Sequence, residues 1–305
     1  MNNIALVSVI MPTYNDKSAY LQESIESILR QSYSNIELII ADDSTKEETK
    51  AIIDEFAIRD KRIKVVRETE RMGLCHASNA AIKEAHGQYI ARMDADDVSF
   101  PERLELQMRA FTSDSIAVVG GQLYSFYDGN DDIAARSKYP LSAKAINDSF
   151  NKGRNPIAHP TTIIRKCVLE EVGGYDELFK CSEDYDIWQK IRLKYDIINI
   201  PEFVLKYRLH DDNGHVSYSN LQSKLCCISH VKYAMGISRN LTKEEYDVLF
   251  SFVQRNLLCR LYSFINLRRS IIARGICKFR LDGFPSLIMI KLFSRPSFSK
   301  RLFNT

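Results

Sequence analysis

Three carboxylates lie within four positions in the stretch Arg92-Met93-Asp94-Ala95-Asp96-Asp97. Like charges this close repel, so keeping them together is costly unless a cation sits among them. A divalent ion is the natural partner, because hard cations take oxygen ligands. A solvated acidic turn with a helix cap would explain an isolated Asp-x-Asp as simply, so the rest of the chain has to decide. The run Tyr89-Ile90-Ala91 leads into the cluster, and Phe100-Pro101-Glu102-Arg103 starts a helix-like segment. The cluster therefore falls where a strand ends, at the ligand-binding edge of an α/β sheet. Two further acidic pairs invite the same question. Asp42-Asp43 closes the apolar run 36–41, and Glu183-Asp184 opens a helical pattern over 183–194. Each is also compatible with a helix N-terminus that favours negative charge.

The elements that must position these groups are legible as periodicity. Leu6 to Met11 reads as a buried first strand, ended by Pro12-Thr13-Tyr14-Asn15. Residues 18–30 have helical spacing, 36–41 form a second strand, 46–59 a second helix and 63–67 a third strand. Gly73 precedes a helix over 74–86 whose alanines suit close packing on a sheet, and Gly87 reads as its C-terminal glycine. Residues 88–93 are the fourth strand. Strands alternating with helices predict a doubly wound, mostly parallel α/β sheet. In that topology Asp42-Asp43 and Asp94 to Asp97 share one sheet edge. Further on, 101–111 reads as helix, 116–121 and 159–165 as strands, and 128–138 as a polar loop. Ser182 is the expected N-cap of the helix from Glu183, and 203–209 is the last strand.

The chain has 305 residues, 45% hydrophobic and 27% charged, which suits a folded α/β domain with an appendage. No run of eighteen apolar residues occurs, so a spanning helix is not expected. Met1-Asn2-Asn3-Ile4 does not read as a secretory signal. Seven scattered cysteines without C-x-x-C spacing read as reduced thiols of a cytosolic protein. The net charge of +3 is uneven. Fifteen lysines and arginines against four acidic residues give 220–305 a charge of +11, so the first 219 residues carry −8. The expected division is therefore a catalytic domain over 1–219 and a helical, basic region over 220–305. A basic tail points to phosphates, on an anionic membrane surface or on nucleic acid.

Eight segments in order make the chain resemble the family 2 glycosyltransferases with the GT-A fold, of the kind that builds bacterial O-antigen and capsule. They are Val7 to Asn15, Glu37 to Ser44, Gly73 to Asp97, Pro101 to Gln107, His159 to Arg165, Gly173 to Asp176, Glu183 to Trp188 and Tyr207 to His210. The resemblance implies an inverting, metal-dependent hexosyltransferase that moves sugar from a UDP-sugar to a lipid-diphosphate-linked sugar, giving a β-glycosidic product. UDP-glucose is the first expectation, with UDP-galactose and UDP-N-acetylhexosamine as alternatives. Pro12, Thr13, Tyr14, Asn15, Asp42, Asp43, Arg71, Asp94 and Asp96 would bind the donor, and Arg208 could reach its phosphates. Asp96 with Asp94 and His210 (or His215) would hold Mn²⁺ or Mg²⁺. Asp184 would be the general base, with Glu183 and Trp188 at the acceptor, although a lone tryptophan is as simply read as core. The implied location is cytoplasmic and peripheral at the inner membrane, with no nucleic-acid partner. Asp43 joins Ser44 without the family's usual glycine, Ser78 precedes Asn79, and Lys190 stands where some relatives have arginine. Two rival readings remain. A sugar-phosphate nucleotidyltransferase should carry a glycine-rich loop, which Val7 to Asn15 lacks, and a nucleic-acid module should carry a recognisable motif, which the tail lacks.

Overall fold

The computed structural model describes residues 4–128, 130–210 and 219–255. Its first half follows the expected alternation. Strands β1 (Val7–Thr13), β2 (Ile36–Asp42), β3 (Ile63–Val66) and β4 (Tyr89–Arg92) alternate with helices α1 (Ser18–Leu29), α2 (Glu47–Arg59) and α3 (Leu74–Glu84). The strands pair in parallel in the order β3-β2-β1-β4. Register matters more here than order. Thr13 stands opposite Asp42 and Ile10 opposite Arg92, so the loops after β1, β2 and β4 open on the same edge.

Beyond β4 the sheet becomes mixed. After β5 (Val98–Ser99) and α4 (Arg103–Arg109) come β6 (Ile116–Tyr127), β7 (Asn130–Arg136), α5 (Ala143–Asn151), a 3₁₀ turn (His159–Thr161), β8 (Ile163–Arg165) and α6 (Lys166–Glu171). Helix α7 (Glu183–Ile191) and β9 (Asp196–Leu209) follow. Strand β8 sits between β4 and β6, antiparallel to both, while β6 and β9 are parallel.

Both faces of the sheet are covered, as side-chain alternation along its strands requires. Val7, Val9 and Met11 of β1 pack with α1, α2 and α4, whereas Ile10 packs with α3, α5, α6 and α7. The acidic edge thus projects from a core closed on two sides.

Several local expectations are corrected. Residues 130–136 are not loop but a hairpin strand on β6; a long neighbour offers ladder partners even to a polar segment. Helix α5 was not expected, since only Ile146 and Phe150 are buried on it, and Ser142 caps it by accepting the Ala145 N–H at 3.3 Å. Strand β9 begins at Asp196 rather than 203. Gly87 does not close α3, which ends at Glu84 with Ala85 extended. A Cβ at Gly87 would lie 2.6 Å from Ser8 Oγ and 2.7 Å from the Leu6 carbonyl, so its glycine serves close approach to β1. Ser182 occupies the N-cap position of α7, yet its hydroxyl makes no capping bond.

The expected boundary at 219 falls on the first residue of α8 (Ser219–Ala234), which is followed by α9 (Lys243–Arg255). Helix α8 packs on α7 through a buried charge network. Lys232 Nζ lies 2.8 and 3.1 Å from the two carboxylate oxygens of Asp186, and Ser229 Oγ donates to Asp186 at 3.1 Å. Lys190 binds the Gly174 carbonyl at 2.7 Å and Asn240 Oδ1 at 2.6 Å, so this departure from the family pattern is structural here. The basic stretch 256–305 lies outside the described residues. No helix among the described residues is long and apolar enough to cross a membrane. No disulfide joins the described cysteines.

Candidate active site

The loop after β4 is built on two buried arginines. Arg103 is fully buried; it donates to Gln107 Oε1 at 3.1 Å and to the Arg92 carbonyl at 2.8 Å. Burial pulls its pKa down to about 9, while the nearby Asp97 and Asp94 oppose that fall. Arg92, 2% exposed, places Nη2 2.6 Å from Asp94 Oδ1 and donates to the Met93 carbonyl. The acidic cluster is thus not a solvated turn.

Its three carboxylates have separate surroundings. Asp97 is wholly buried and accepts the Arg208 N–H on Oδ1 at 2.9 Å, while Oδ2 has no partner. Burial, then Asp96 and Asp94, push it well above the usual carboxylate range. Asp96 meets His210 Nε2 at 2.9 Å. Burial first and Asp94 second raise its pKa, with His210 opposing. Asp94 is partly exposed and held by Arg92. Arg208 is buried, with 5% exposure. It lies beneath the cluster, bonded to the Asp96 carbonyl at 2.9 Å and to Glu23, and stacked on Tyr20 and Phe126. His215 lies outside the described residues.

Side chains expected at the donor also tie the neighbouring loops together. Asn15 adopts a left-handed φ of 56°, tolerable for asparagine. Its Oδ1 accepts the Thr45 and Lys46 N–H groups at 2.9 Å each, so it braces the start of α2. Pro12 and Thr13 are buried at the end of β1, and Thr13 Oγ1 donates to Asp16 at 2.6 Å. Asp42 accepts from Arg67 Nε at 2.7 Å and from the Ser44 N–H at 3.0 Å. Asp43 accepts the Met72 and Gly73 N–H groups at 2.7 and 2.8 Å. Tyr14 is 43% exposed, and the Arg71 guanidinium lies 4.1 Å from its ring centre. Together these two leave a flat, accessible face beside the Asp43 loop.

Helix α7 brings the last group. Asp184 Oδ2 accepts from Asn155 Nδ2 at 2.9 Å and Oδ1 accepts the Tyr185 N–H at 2.6 Å. Cys181, just before the helix, holds a left-handed φ of 61°, an arrangement kept only where surrounding structure enforces it. Glu183 is buried with Oε2 unpartnered. Burial, then Asp184, raise its pKa to about 8, with Arg92 opposing and Asp94 adding. His159 lies 4.0 Å from Glu183, beyond hydrogen-bond reach. Burial and Arg92 pull its pKa well below the usual value, so this close pair is neutral rather than ionic near pH 7. Trp188 corrects an expectation. It has no exposed surface and packs edge-on against His159 at 5.8 Å, so it is core and offers no face to an acceptor.

The family model described as glycosyl transferase family 2 matches residues 8–173. The chain belongs to glycosyltransferase family 2. An uncharacterised glycosyltransferase of Methanocaldococcus jannaschii is 35% identical over 70% of this chain and 73% of its own length. The O-antigen biosynthesis glycosyltransferase WbnJ of Escherichia coli is 36% identical over 70% of this chain and 83% of its own. The E. coli protein named UDP-Glc:alpha-D-GlcNAc-diphosphoundecaprenol beta-1,3-glucosyltransferase WfgD is 30% identical, over 91% of this chain and 96% of its own. Among solved structures, S. aureus TarS residues 1–349 with UDP superposes with a TM-score of 0.59 at 19% identity, covering 94% of this chain and 83% of that one. This chain spans 46% of the longer TarS structure. The likeness establishes the GT-A fold.

Sequence reasoning passed over four residues of this glycosyltransferase. Asp16 bonds Thr13 and the Tyr14 N–H, and burial first, then Asp94 among its neighbours, raise its pKa. Its signal was its place directly after the β1 turn. Asn155, which holds Asp184, lay in a segment with no periodicity. Arg92 and Arg103 looked like ordinary strand-end and helix-start cations.

Proposed function

We propose that the protein is an inverting, metal-dependent hexosyltransferase. It would move glucose from UDP-glucose to a lipid-diphosphate-linked sugar, in O-antigen-type polysaccharide synthesis at the inner face of the cytoplasmic membrane. Residues 1–219 would carry the reaction, and the basic region beyond would favour an anionic surface. The observation that carries this reading is the pairing of Asp96 Oδ2 with His210 Nε2 at 2.9 Å, next to Asp94 on the edge where the loops after β1 and β2 also open.

The residues fit a divalent ion. Asp96 Oδ2 and His210 Nε2 are 2.9 Å apart, and His210 Nδ1 is buried without a partner. Among the described residues no group of three or more His, Cys, Asp or Glu side chains is set to hold a metal. Asp96 and His210 would hold Mn²⁺ or Mg²⁺. When bound, the ion supplies Lewis-acid stabilisation of the leaving diphosphate. Asp94, held by Arg92, is better suited to orienting the donor than to joining the ion. Tyr14 and Arg71 would stack on the uracil, and Asp42 and Asp43 fix the loops around it.

Asp184 takes the proton from the acceptor hydroxyl as its oxygen bonds to the anomeric carbon. The bond from that carbon to the diphosphate oxygen breaks on the opposite face, so an α-linked donor gives a β-linked product. Asn155 and the Tyr185 N–H each hold one Asp184 oxygen, fixing the orientation of the carboxylate. Glu183, protonated at neutral pH, adds no competing charge. WfgD's name supports UDP-glucose and the lipid-linked acceptor; UDP-galactose and UDP-N-acetylhexosamine remain the alternative donors. Family membership removes the nucleotidyltransferase reading.

The test is UDP release from a panel of nucleotide sugars with Mn²⁺ and a sugar-diphosphate-lipid analogue. UDP-glucose should be turned over fastest. Asp184→Asn should lower kcat by about 10²–10⁴-fold with donor affinity retained, and Asp96→Ala should abolish metal-dependent UDP binding. Wild-type turnover in either variant refutes the roles given.

A further inference from the structure

We propose that Arg92 is a positioning residue for the transfer reaction, joining the donor edge at Asp94 to the base-bearing helix at Glu183 through the His159 turn. The proposal rests on the reading above for what the two halves do. Its geometry stands independently. The Arg92 side chain holds Asp94 at 2.6 Å. Its backbone N–H donates to the Thr162 carbonyl at 2.9 Å. Thr162 in turn donates to the His159 carbonyl through both its N–H, at 3.1 Å, and its hydroxyl, at 2.8 Å. His159 Nε2 meets Tyr175 Oη at 2.7 Å, and Nδ1 sits 4.0 Å from Glu183. Hydrogen bonds therefore run from the acidic edge through the β4 backbone to the His159 turn, whose imidazole stands 4.0 Å from Glu183, the first residue of α7.

Arg103 provides the internal comparison. It is equally buried, yet Nε, Nη1 and Nη2 each have a partner, in Gln107, Met93 Sδ and the Arg92 and Thr162 carbonyls. It behaves as a core cation that closes backbone acceptors. Arg92 instead leaves Nε buried and unbonded. An orphaned buried donor is costly and uncommon in native proteins. A lysine or a neutral polar group would fill the position with less penalty if only packing were required. The charge of Arg92 also acts on Glu183, His159 and Tyr175 together, which is the pattern expected of a fixed cation placed between two sets of carboxyls.

The experiment is a pair of double-mutant cycles in the full chain, combining Arg92→Gln with Asp94→Asn and with Glu183→Gln. The readouts are kcat, the Kd for UDP with Mn²⁺, and hydrogen–deuterium exchange. Arg92→Gln should lower kcat by about 100-fold while UDP affinity changes less than about fivefold. Each cycle should be non-additive by more than about fivefold, because contacting residues couple. Exchange should quicken at residues 159–165 and along α7, with α1 and α2 unchanged. Arg92→Lys, which keeps the charge but not the fork, should recover at least a tenth of wild-type kcat, and it carries the test if the glutamine variant fails to fold. Additive cycles, or unchanged exchange over 159–165 and α7, overturn the proposal. If the wild-type protein transfers no sugar, the functional reading fails, and the exchange data still decide the fate of Arg92.

Discussion

Replacing Lys232 with methionine should unfold the link between the C-terminal helices and the helix that bears Asp184. Lys232 and Asp186 are both within 1% of complete burial. Removing one partner of a buried pair leaves an unpaired charge and costs about 3–5 kcal/mol. Asp186 would retain Ser229 Oγ at 3.1 Å and Lys190 at 3.5 Å, and Asp176 would lose a cation 3.6 Å away. The residual partners place the loss near the lower end, about 3 kcal/mol. That is a large share of the 5–15 kcal/mol that holds a typical domain folded. The chain has a single tryptophan, Trp188, two residues beyond Asp186 on α7, so urea unfolding followed by its fluorescence reports the affected helix directly. The double variant Asp186→Leu with Lys232→Met removes both charges and should return most of the stability. A loss below about 1 kcal/mol for Lys232→Met, or a double variant as unstable as the sum of its singles, would refute the claim that α8 holds α7 by this pair.

Two more outcomes follow from the site. Glu183 keeps its proton to about pH 8 when folded, against an ordinary 4.5. The folded chain therefore binds the extra proton between these values, and raising the pH through that window favours the unfolded state, by up to about 1.4 kcal/mol per pH unit. Glu183→Gln should flatten the fall in urea midpoint from pH 5 to pH 8; an identical slope in both proteins would show that Glu183 is not held neutral. Trp188→Phe should leave the acceptor KM within about twofold, because burial keeps the ring from any acceptor. A tenfold rise would restore the stacking role.

The sequence by itself determined the order of the first elements and the sheet edge on which two of its acidic segments fall. Apolar residues at Val7, Val9 and Met11, and again over 36–41, specify buried strands whatever lies around them, because side-chain alternation is a local property. Strands alternating with helices then force Asp42-Asp43 and Asp94 to Asp97 onto one side of the sheet. The motif order was also sufficient for the family, which the match over 8–173 bears out. What the sequence could not give was the partner of each polar group. Asp97 accepts the Arg208 N–H across 111 residues, and Asp186 meets Lys232 across 46. No periodicity carries that information, since ion pairing in a dry interior depends on three-dimensional closeness and on how much water burial removes. The same reason sent Trp188 to the core, tied Asn15 to the start of α2 and set Lys190 against Gly174 and Asn240. Residue types and their spacing decided which reaction class the chain belongs to. Tertiary packing decided which carboxylates were left available for it.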